Sequence, residues 1–307
     1  MYHFIINPKS RTGSGIKIWN IVKKELDLLG VPYTMYFTCY KLHATKIAQE
    51  ICDNFTGIKN IVVLGGDGTI NEVINGIANY DEVLLGYIPS GSSNDLARSL
   101  NLPKDPIVSL KHILSPTEFK YVDTGIIKME GSNHLRKFVV STGMGFDAAI
   151  SEEALRSSIK KVLNKIGLGK LTYTLIALKQ LMSCPYMEGE VIIDGKLTNS
   201  YHQILFITSM IHKFEGGGLR MAPAANPFDG KLSICIVHGL SRLRLLTLLP
   251  TLLLGKHVLF KGVETFDCRT LEIKLRNPAM VHVDGEYPGT FHHLKISCTP
   301  KQLRIII

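Results

Sequence analysis

The pattern of apolar positions changes texture once along this chain. Up to about Asp123, strand-like runs alternate with helical stripes. YHFIINP reads as a short buried strand, and Ile, Val and Leu recur at helical spacing from Ile16 to Leu29. VPYTMYFT from Val31 is strand-like, His43 to Phe55 is helix-like, and NIVVLGG is again a strand. Ile70, Val73, Ile74 and Ile77 share one helical face, and LLGYIPSG is a fourth strand before a turn and short helix from Asp95 to Leu100. Such alternation predicts a mostly parallel sheet covered by helices. After Asp123 the strand-like segments GIIKM, RKFVVSTGMG, GEVIIDG, YHQILFITSM, KLSICIVHG, TLEIKLRN and AMVHVDGEY come with turns between them. Successive strands without intervening helices predict an antiparallel sandwich. Two long helical patterns interrupt them, Glu152 to Met182 and Ser241 to His257. The expected division is an α/β domain over residues 1–124 and a β-sandwich domain over 125–307. The strand-like LRIII at the end is assignable to either, with a return to the first domain as one option.

Composition narrows the class without naming a function. The 307 residues are 45% hydrophobic and 20% charged, ordinary for a folded chain with a sizeable core. The longest apolar stretch, LLTLLPTLLLG, is interrupted by Thr247, Pro250 and Thr251, and a spanning helix needs about 20 mostly apolar residues. The apolar start, Tyr2 to Ile6, runs into Asn7-Pro8 and is too short for a signal region. Six scattered cysteines without a CxxC pair speak against a disulfide framework or a zinc site and fit a reducing cytoplasm. The eleven histidines include no HExxH, and the adjacent His292 and His293 would point to opposite strand faces. The expectation is that the histidines lie on the surface. A net charge of +9 attracts nucleic acid, anionic lipid surfaces and phosphorylated ligands alike, and does not choose among them.

The stretch NIVVLGGDGTINEVINGI places Gly65, Gly66, Asp67 and Gly68 where a strand passes into a helix beginning at Thr69. In open α/β sheets ligands gather at the carboxyl ends of strands, where helix N-termini offer N–H groups and partial positive charge to phosphate oxygens. Glycine lets that backbone approach closely. Taken alone, the cluster reads equally well as a tight turn with Asp67 as a cap. Neither GxxxxGK[ST] nor GxGxxG is present. A second junction, YIPSGSSNDLARSL, again ends a strand with a glycine and hydroxyls before Asn94 and Asp95 open a helix. By itself that is an ordinary N-cap, but two such loops side by side can form one polyphosphate cradle.

GGDGTINEVINGI, PSGSSNDLAR and VDGEYPGT resemble the signature segments of the diacylglycerol kinase catalytic family, in particular its soluble bacterial lipid-kinase branch. Asn7-Pro8, GMGFDA from Gly143 and APAANPFDGKL from Ala222 resemble further segments of that branch. The matches run in order from residue 7 to beyond 285. GGDGT alone is shared with NAD kinases.

The resemblance implies a Rossmann-like α/β domain and a β-sandwich with nucleotide in the cleft between them, and ATP-dependent phosphorylation of a lipid hydroxyl. It implies that Gly65, Gly66, Asp67, Gly68, Thr69, Asn71 and Glu72 hold the triphosphate, together with Asn7, Thr38, Gly91, Ser92 and Asn94. Ser92 stands where the branch usually has threonine. Phosphoryl transfer to an alcohol needs a base at the hydroxyl and positive charge on the phosphates. The resemblance makes Glu286 the base, with Asp67 competing for the role or organising Mg²⁺–ATP. If VDGEY stays extended, Asp284 and Glu286 share a face, whereas Gly285 permits a turn. The resemblance also implies a bracing Mg²⁺ held by the Asp229 carboxylate and the Asn226 and Lys231 carbonyls, hard oxygen ligands that suit the ion.

The lipid side is less sharply written. Leu243, Leu245, Leu246, Leu248, Leu249, Leu252 and Leu253 crowd one segment between Arg242, Arg244 and Lys256. It reads as a core helix or as a face resting on anionic lipid. The run Ser158 to Met182, with Lys160, Lys161, Lys165, Lys170 and Lys179, invites the same two readings. The leading expectation is a cytoplasmic lipid kinase, transiently at an anionic membrane surface, with diacylglycerol as first acceptor. An NAD kinase-like enzyme and a non-catalytic nucleotide or lipid sensor are the alternatives, and a homodimer is left open. No motif with interleaved aromatics supports a nucleic-acid partner.

Overall fold

The computed structural model describes residues 1–132, 135–156 and 169–307. The chain divides into two compact units, one of residues 1–124 with 227–230 and 299–307, the other of 125–226 with 231–298. Lys160, Lys161 and Lys165 of the second lysine-bearing run lie outside the described residues.

In the first unit, β1 (Tyr2–Ile6), β2 (Tyr33–Phe37), β3 (Lys59–Gly65) and β4 (Val83–Pro89) form a parallel sheet in the order β4-β3-β1-β2. Helices α1 (Ser10–Leu28), α2 (His43–Asn54), α3 (Asp67–Gly76), α4 (Asp95–Ser99) and α5 (Pro106–Leu114) connect and follow the strands. The apolar runs at 4–6 of β1 and 61–64 of β3 are what parallel strands covered on both faces require, and both runs are buried. Trp19 of α1 fills the core beside Phe4, Tyr33 and Phe37, with ring centroids 5.4, 5.9 and 6.3 Å away.

The apolar pattern alone did not pick out α5. Its start was nevertheless written locally, because Asp105 caps it by accepting the amides of Ile107 and Val108 at 2.9 and 3.0 Å, with Pro106 at the first helical position. Residues 299–307 belong to this unit. Ile305 pairs in parallel with Leu85, and Thr124 Oγ1 donates to Gln302 Oε1 at 2.7 Å.

In the second unit, β7 (Ser141–Gly145), β9 (Leu197–Met210), β10 (Leu232–His238), β11 (Val263–Cys268), β12 (Thr270–Val283) and the first part of β13 (Glu286–Ile306) form an antiparallel sheet ordered β11-β10-β9-β7-β12-β13. The strand β8 (Met187–Ile193) pairs with both β9 and β12, and β6 (Arg136–Phe138) pairs with the end of β5 (Phe119–Met129). Alternation divides each strand between two cores. Ile234 and Ile236 of β10 join one with Leu271, Ile273 and Leu294, whereas Cys235 and Val237 join another beneath helices. Those helices are α6 (Phe146–Arg156), α7 (Gly169–Ser183) and α8 (Arg242–Leu252).

Two sequence expectations change here. TLEIKLRN and AMVHVDGEY are not separate strands; they make one strand with register shifts after Lys274 and Val281. A β-bulge lets one strand bend without ending. The histidines are not all on the surface, since His3, His212, His257 and His282 are buried. Each has apolar or polar company that pattern reading cannot see: the His3 ring lies 4.3 Å from that of Phe55, and His257 Nε2 lies 3.0 Å from the Met221 carbonyl oxygen.

Candidate active site

The parallel sheet brings four loops to one edge. Asn7 follows β1, Thr38 follows β2, Gly66 and Asp67 follow β3, and the 90–94 loop follows β4. Because the four strands are parallel neighbours, all four loops lie at their carboxyl ends. The Asn7 side chain donates to Thr69 Oγ1 at 3.1 Å, and the buried Thr38 donates its amide to the Ile6 carbonyl at 2.9 Å.

The glycines have different jobs. A Cβ on Gly65 would stand 2.5 Å from the Thr69 side chain. A Cβ on Gly91 would stand 2.5 Å from the Gly66 Cα and 2.7 Å from Asn94 Oδ1, so the two loops touch backbone to backbone. Those three glycines are demanded by the fold itself. Gly68 is not: nothing lies within 4 Å of its Cβ position, and it occupies the first turn of α3. Glycine there costs a helix about 0.5–1 kcal/mol relative to alanine. The backbone is bare where no neighbour in the chain requires it.

The acidic groups of α3 serve the neighbouring helices. Asp67 accepts the amides of Asp95 and Leu96 at 3.0 and 3.2 Å, capping α4. Glu72 accepts the amides of Leu42 and Ala44 at 2.9 and 3.1 Å, capping α2. The plain N-cap expected of Asn94 is therefore absent. Asn94 adopts the left-handed conformation at φ 51°, and its amide clasps the amide and carbonyl of Gly91 at 2.9 and 3.1 Å. Asn71 is buried within α3, and its carbonyl accepts from Asn75, while Ser92 is exposed at the loop tip. Ser10 and Ser90, which motif reading passed over, join the first loop to the last through hydroxyls 2.8 Å apart.

In the second unit VDGEY turns rather than staying extended. Asp284 and Gly285, at φ 48° and 78°, form the two-residue link between β12 and β13, with Val283 paired to Glu286. Asp-Gly is the sequence signal for such a type I′ hairpin, and it was legible in the chain. The Asp284 carboxylate accepts the amides of Val139, Val140 and Ser141 at 2.8, 2.8 and 2.9 Å. Of the two carboxylates in DGE, Asp284 is thus committed to structure. Glu286 stands half-buried at the first position of β13.

Beside that turn is a buried cluster that the motifs did not announce. His282 Nε2 lies 2.9 Å from Glu215 Oε1 and 3.1 Å from Asp147 Oδ2. Burial pushes the His282 pKa down, but the two carboxylates overcome it and hold the ring at about 10. Burial raises Asp147, and His282 pulls it back. The Gly285 amide approaches His282 Nδ1 at 3.4 Å, too loose to decide the ring's charge against two close carboxylates. Ser141 Oγ also donates to Glu215 at 3.0 Å, so the cluster and the turn share an anchor.

The proposed metal loop has an anchor of its own. Asp123, fully buried, accepts the amides of Gly230 and Lys301 at 2.7 Å each and donates its own amide to the Pro227 carbonyl at 2.8 Å. Burial raises its pKa, the two amides lower it, and nearby Asp229 raises it further. Asp229, next to Gly230 in the chain, is exposed, and a carboxylate with main-chain carbonyls is the kind of hard-oxygen donor set that suits Mg²⁺. The residues fit the ion.

Residues 1–126 match the model of the diacylglycerol kinase catalytic domain, and residues 139–307 match the YegS C-terminal NAD kinase beta sandwich-like domain. The chain belongs to the family of diacylglycerol kinase-like lipid kinases. Among this family's members, "Putative lipid kinase YtlR" of Bacillus subtilis (strain 168) is 28% identical over 99% of this chain and 98% of its own length. A protein named diacylglycerol kinase from the same organism is 28% identical over 94% of this chain and 92% of its own. A diacylglycerol kinase crystal structure from Bacillus anthracis str. Sterne superposes with a TM-score of 0.69 at 19% identity, covering 99% of this chain and 96% of that one, and so shares the fold. The chain is a kinase whose acceptor is a lipid hydroxyl. Among the described residues no helix is long and apolar enough to cross a membrane.

Proposed function

We propose that the enzyme transfers the γ-phosphate of ATP to a hydroxyl of a membrane lipid, with diacylglycerol as first acceptor and phosphatidic acid as product. The observation that carries the reading is Gly68, bare at the N-terminal turn of α3 beside the Gly66–Gly91 contact. A helix start without a side-chain cap, lined by glycine, suits phosphate oxygens. The relatives named diacylglycerol kinase support the choice of acceptor.

In this reading Gly66, Gly68, Thr69 and Ser92 face the phosphates, and Asn7, Thr38 and Asn94 shape the loops around them. Asn71 and Glu72 hold α3 in place. The lipid oxygen bonds to the γ-phosphorus as the bond to the β-phosphate breaks, and the hydroxyl proton passes to Glu286. The resemblance of VDGEYPGT to the family's segment gives Glu286 the role of base, while Asp67 and Asp284 have their carboxylates on backbone amides. Asp67 acts by locking the second loop to the first. Mg²⁺ bound with ATP would supply positive charge to the phosphates, and Asp229, with the carbonyls of Asn226 and Lys231, would hold a second Mg²⁺ that braces the loop.

The reading is tested by incubating the protein with labelled ATP, Mg²⁺ and mixed vesicles carrying diacylglycerol, phosphatidylglycerol, sphingoid bases or ceramide. Labelled phosphatidic acid, lost in Glu286→Gln, is the expected result. Label on another lipid corrects the acceptor. Label on NAD in a parallel tube, with no lipid labelled, overturns the reading.

A further inference from the structure

The leucine segment offers a finer inference, resting on the lipid-kinase reading. In α8, Leu245, Leu248 and Leu252 are buried at helical spacing and pack in the core with Leu181 and Phe206. The opposite face should be polar, as in any helix laid on a core. Here it is not. Leu243 is 74% exposed, Leu246 37%, and Leu253 and Leu254, just past the helix end, 61% and 65%. Leu259 beyond them is 79% exposed. The only long polar side chain on this helix face is the exposed Arg244.

The neighbouring helix repeats the pattern. In α7, Leu175, Leu178 and Met182 are exposed at helical spacing. Arg242 ties the two helices together, donating to the carbonyls of Leu181 and Cys184 with its guanidinium 4.1 Å over the Tyr186 ring. Apolar side chains are thus exposed on two adjacent helices, which single scattered surface leucines would not produce.

Charge selects the occupant. From Gly230 to Val263 there is no Asp or Glu, and none from Leu175 to Met187; the acid of α6 that reaches α7, Glu153, is paired with Lys179 at 2.6 Å. Arg244, Lys256 and Lys261 stand exposed among the leucines. A second copy of the chain in a two-fold dimer would set those cations against their own equivalents. A bilayer carrying anionic lipid gives them phosphate partners and gives the leucines a hydrocarbon boundary. The family's substrate lies in such a bilayer.

We propose that the solvent face of α8, with Leu253, Leu254 and Leu259 after it and the exposed face of α7 beside it, is the surface that seats this enzyme on an anionic membrane. Leu245, Leu248 and Leu252 hold the protein side of the helix, and Leu243, Leu246, Leu253 and Leu254 enter the headgroup boundary.

The test is flotation of the full chain with phosphatidylcholine vesicles, with and without phosphatidylglycerol, in the absence of ATP and acceptor. Wild type is expected to float with the anionic vesicles only. Leu243→Gln/Leu253→Gln/Leu254→Gln is expected to lose at least tenfold in vesicle affinity with an unchanged melting temperature. Arg244→Glu/Lys256→Glu is expected to lose the preference for anionic lipid. A control triple at exposed Leu28, Leu29 and Leu135 should float like wild type. Leu254→Trp should be quenched by brominated lipid, while Trp19, buried in the other unit, should not. Vesicle binding by the triple variant at wild-type affinity, or no vesicle binding by wild type, overturns the proposal. So does a triple variant that converts a dimer to a monomer in sedimentation, which would make the face a self-association surface. Because flotation needs no turnover, intact binding with no lipid phosphorylated would count against the kinase reading alone.

Discussion

Gly66 and Gly91 meet so closely that a Cβ on Gly91 would stand 2.5 Å from the Gly66 Cα. This contact fuses the loops after β3 and β4 into one surface, with Asp67 bonded across it to the start of α4. Gly68 lies beside the contact and has no such duty.

The two kinds of glycine separate by substitution. Gly91→Ala should destabilise by about 1–3 kcal/mol, because backbone rather than a flexible side chain must move. Gly68→Ala should keep or raise stability by up to about 1 kcal/mol, by helix propensity, and weaken ATP binding at least tenfold. Thermal unfolding and calorimetric titration with Mg²⁺–ATP read the two effects. A Gly68→Ala protein with wild-type ATP affinity would remove the phosphate role of that turn.

The carboxylates separate in the same way. Glu286→Gln should lower kcat by three orders of magnitude or more with little change in melting temperature or ATP affinity. Asp284→Asn should cost about 1–3 kcal/mol, since an amide cannot accept three backbone N–H groups as a carboxylate does. Normal turnover by Glu286→Gln would exclude it as the base. Asp67→Asn should lose about 0.5–2 kcal/mol of cap energy together with ATP affinity, which distinguishes a loop lock from a proton acceptor.

Two buried histidines bound the pH range of stability from opposite sides. Burial lowers His212 to about 3, so between about 3 and 6.5 the unfolded chain binds a proton that the folded one refuses. Stability should then fall on acidification below 6.5 by about 1.4 kcal/mol per pH unit. His282 is held at about 10; its contribution is complete below 6.5 and is lost as pH rises towards 10. Urea unfolding across pH reads both limbs. His212→Leu should flatten the acid limb and leave the alkaline one. An unchanged acid limb would show that another group sets it.

The loop held by Asp123 makes a metal prediction. Removal of divalent ions by a chelator should lower the melting temperature of the wild type and leave that of Asp229→Asn where it is, with Mg²⁺ restoring only the wild type. Chelation without effect on the wild type would mean that Asp123 and its two amides hold the loop unaided.

Local chemistry wrote much of this protein in plain view. The apolar runs within β1 and β3 announced buried parallel strands, and GGDGT and SGSSND announced two glycine-bearing turns at strand ends. The Asp284-Gly285 hairpin was equally legible, since two consecutive left-handed residues suit Asp-Gly, and Asp105-Pro106 marked the start of α5. All these signals act within a few residues, where backbone conformation is settled by side chains close in sequence.

What the sequence could not determine depends on groups far apart in the chain meeting in space. Which glycines are structural and which is bare follows from Gly91 lying on Gly66. Which carboxylates are committed follows from Asp67 reaching Leu96 and Asp284 reaching Val139. The burial of His282 between Asp147 and Glu215 has no local signature, because each residue comes from a different segment. The leucines divide in the same way: their spacing names a helix, but only packing against Leu181 and Phe206 decides that Leu245 is core and Leu243 faces outward. Hydrophobic burial is non-directional and rewards any apolar neighbour, so an apolar residue alone does not say whether its partner is the protein itself or something outside it.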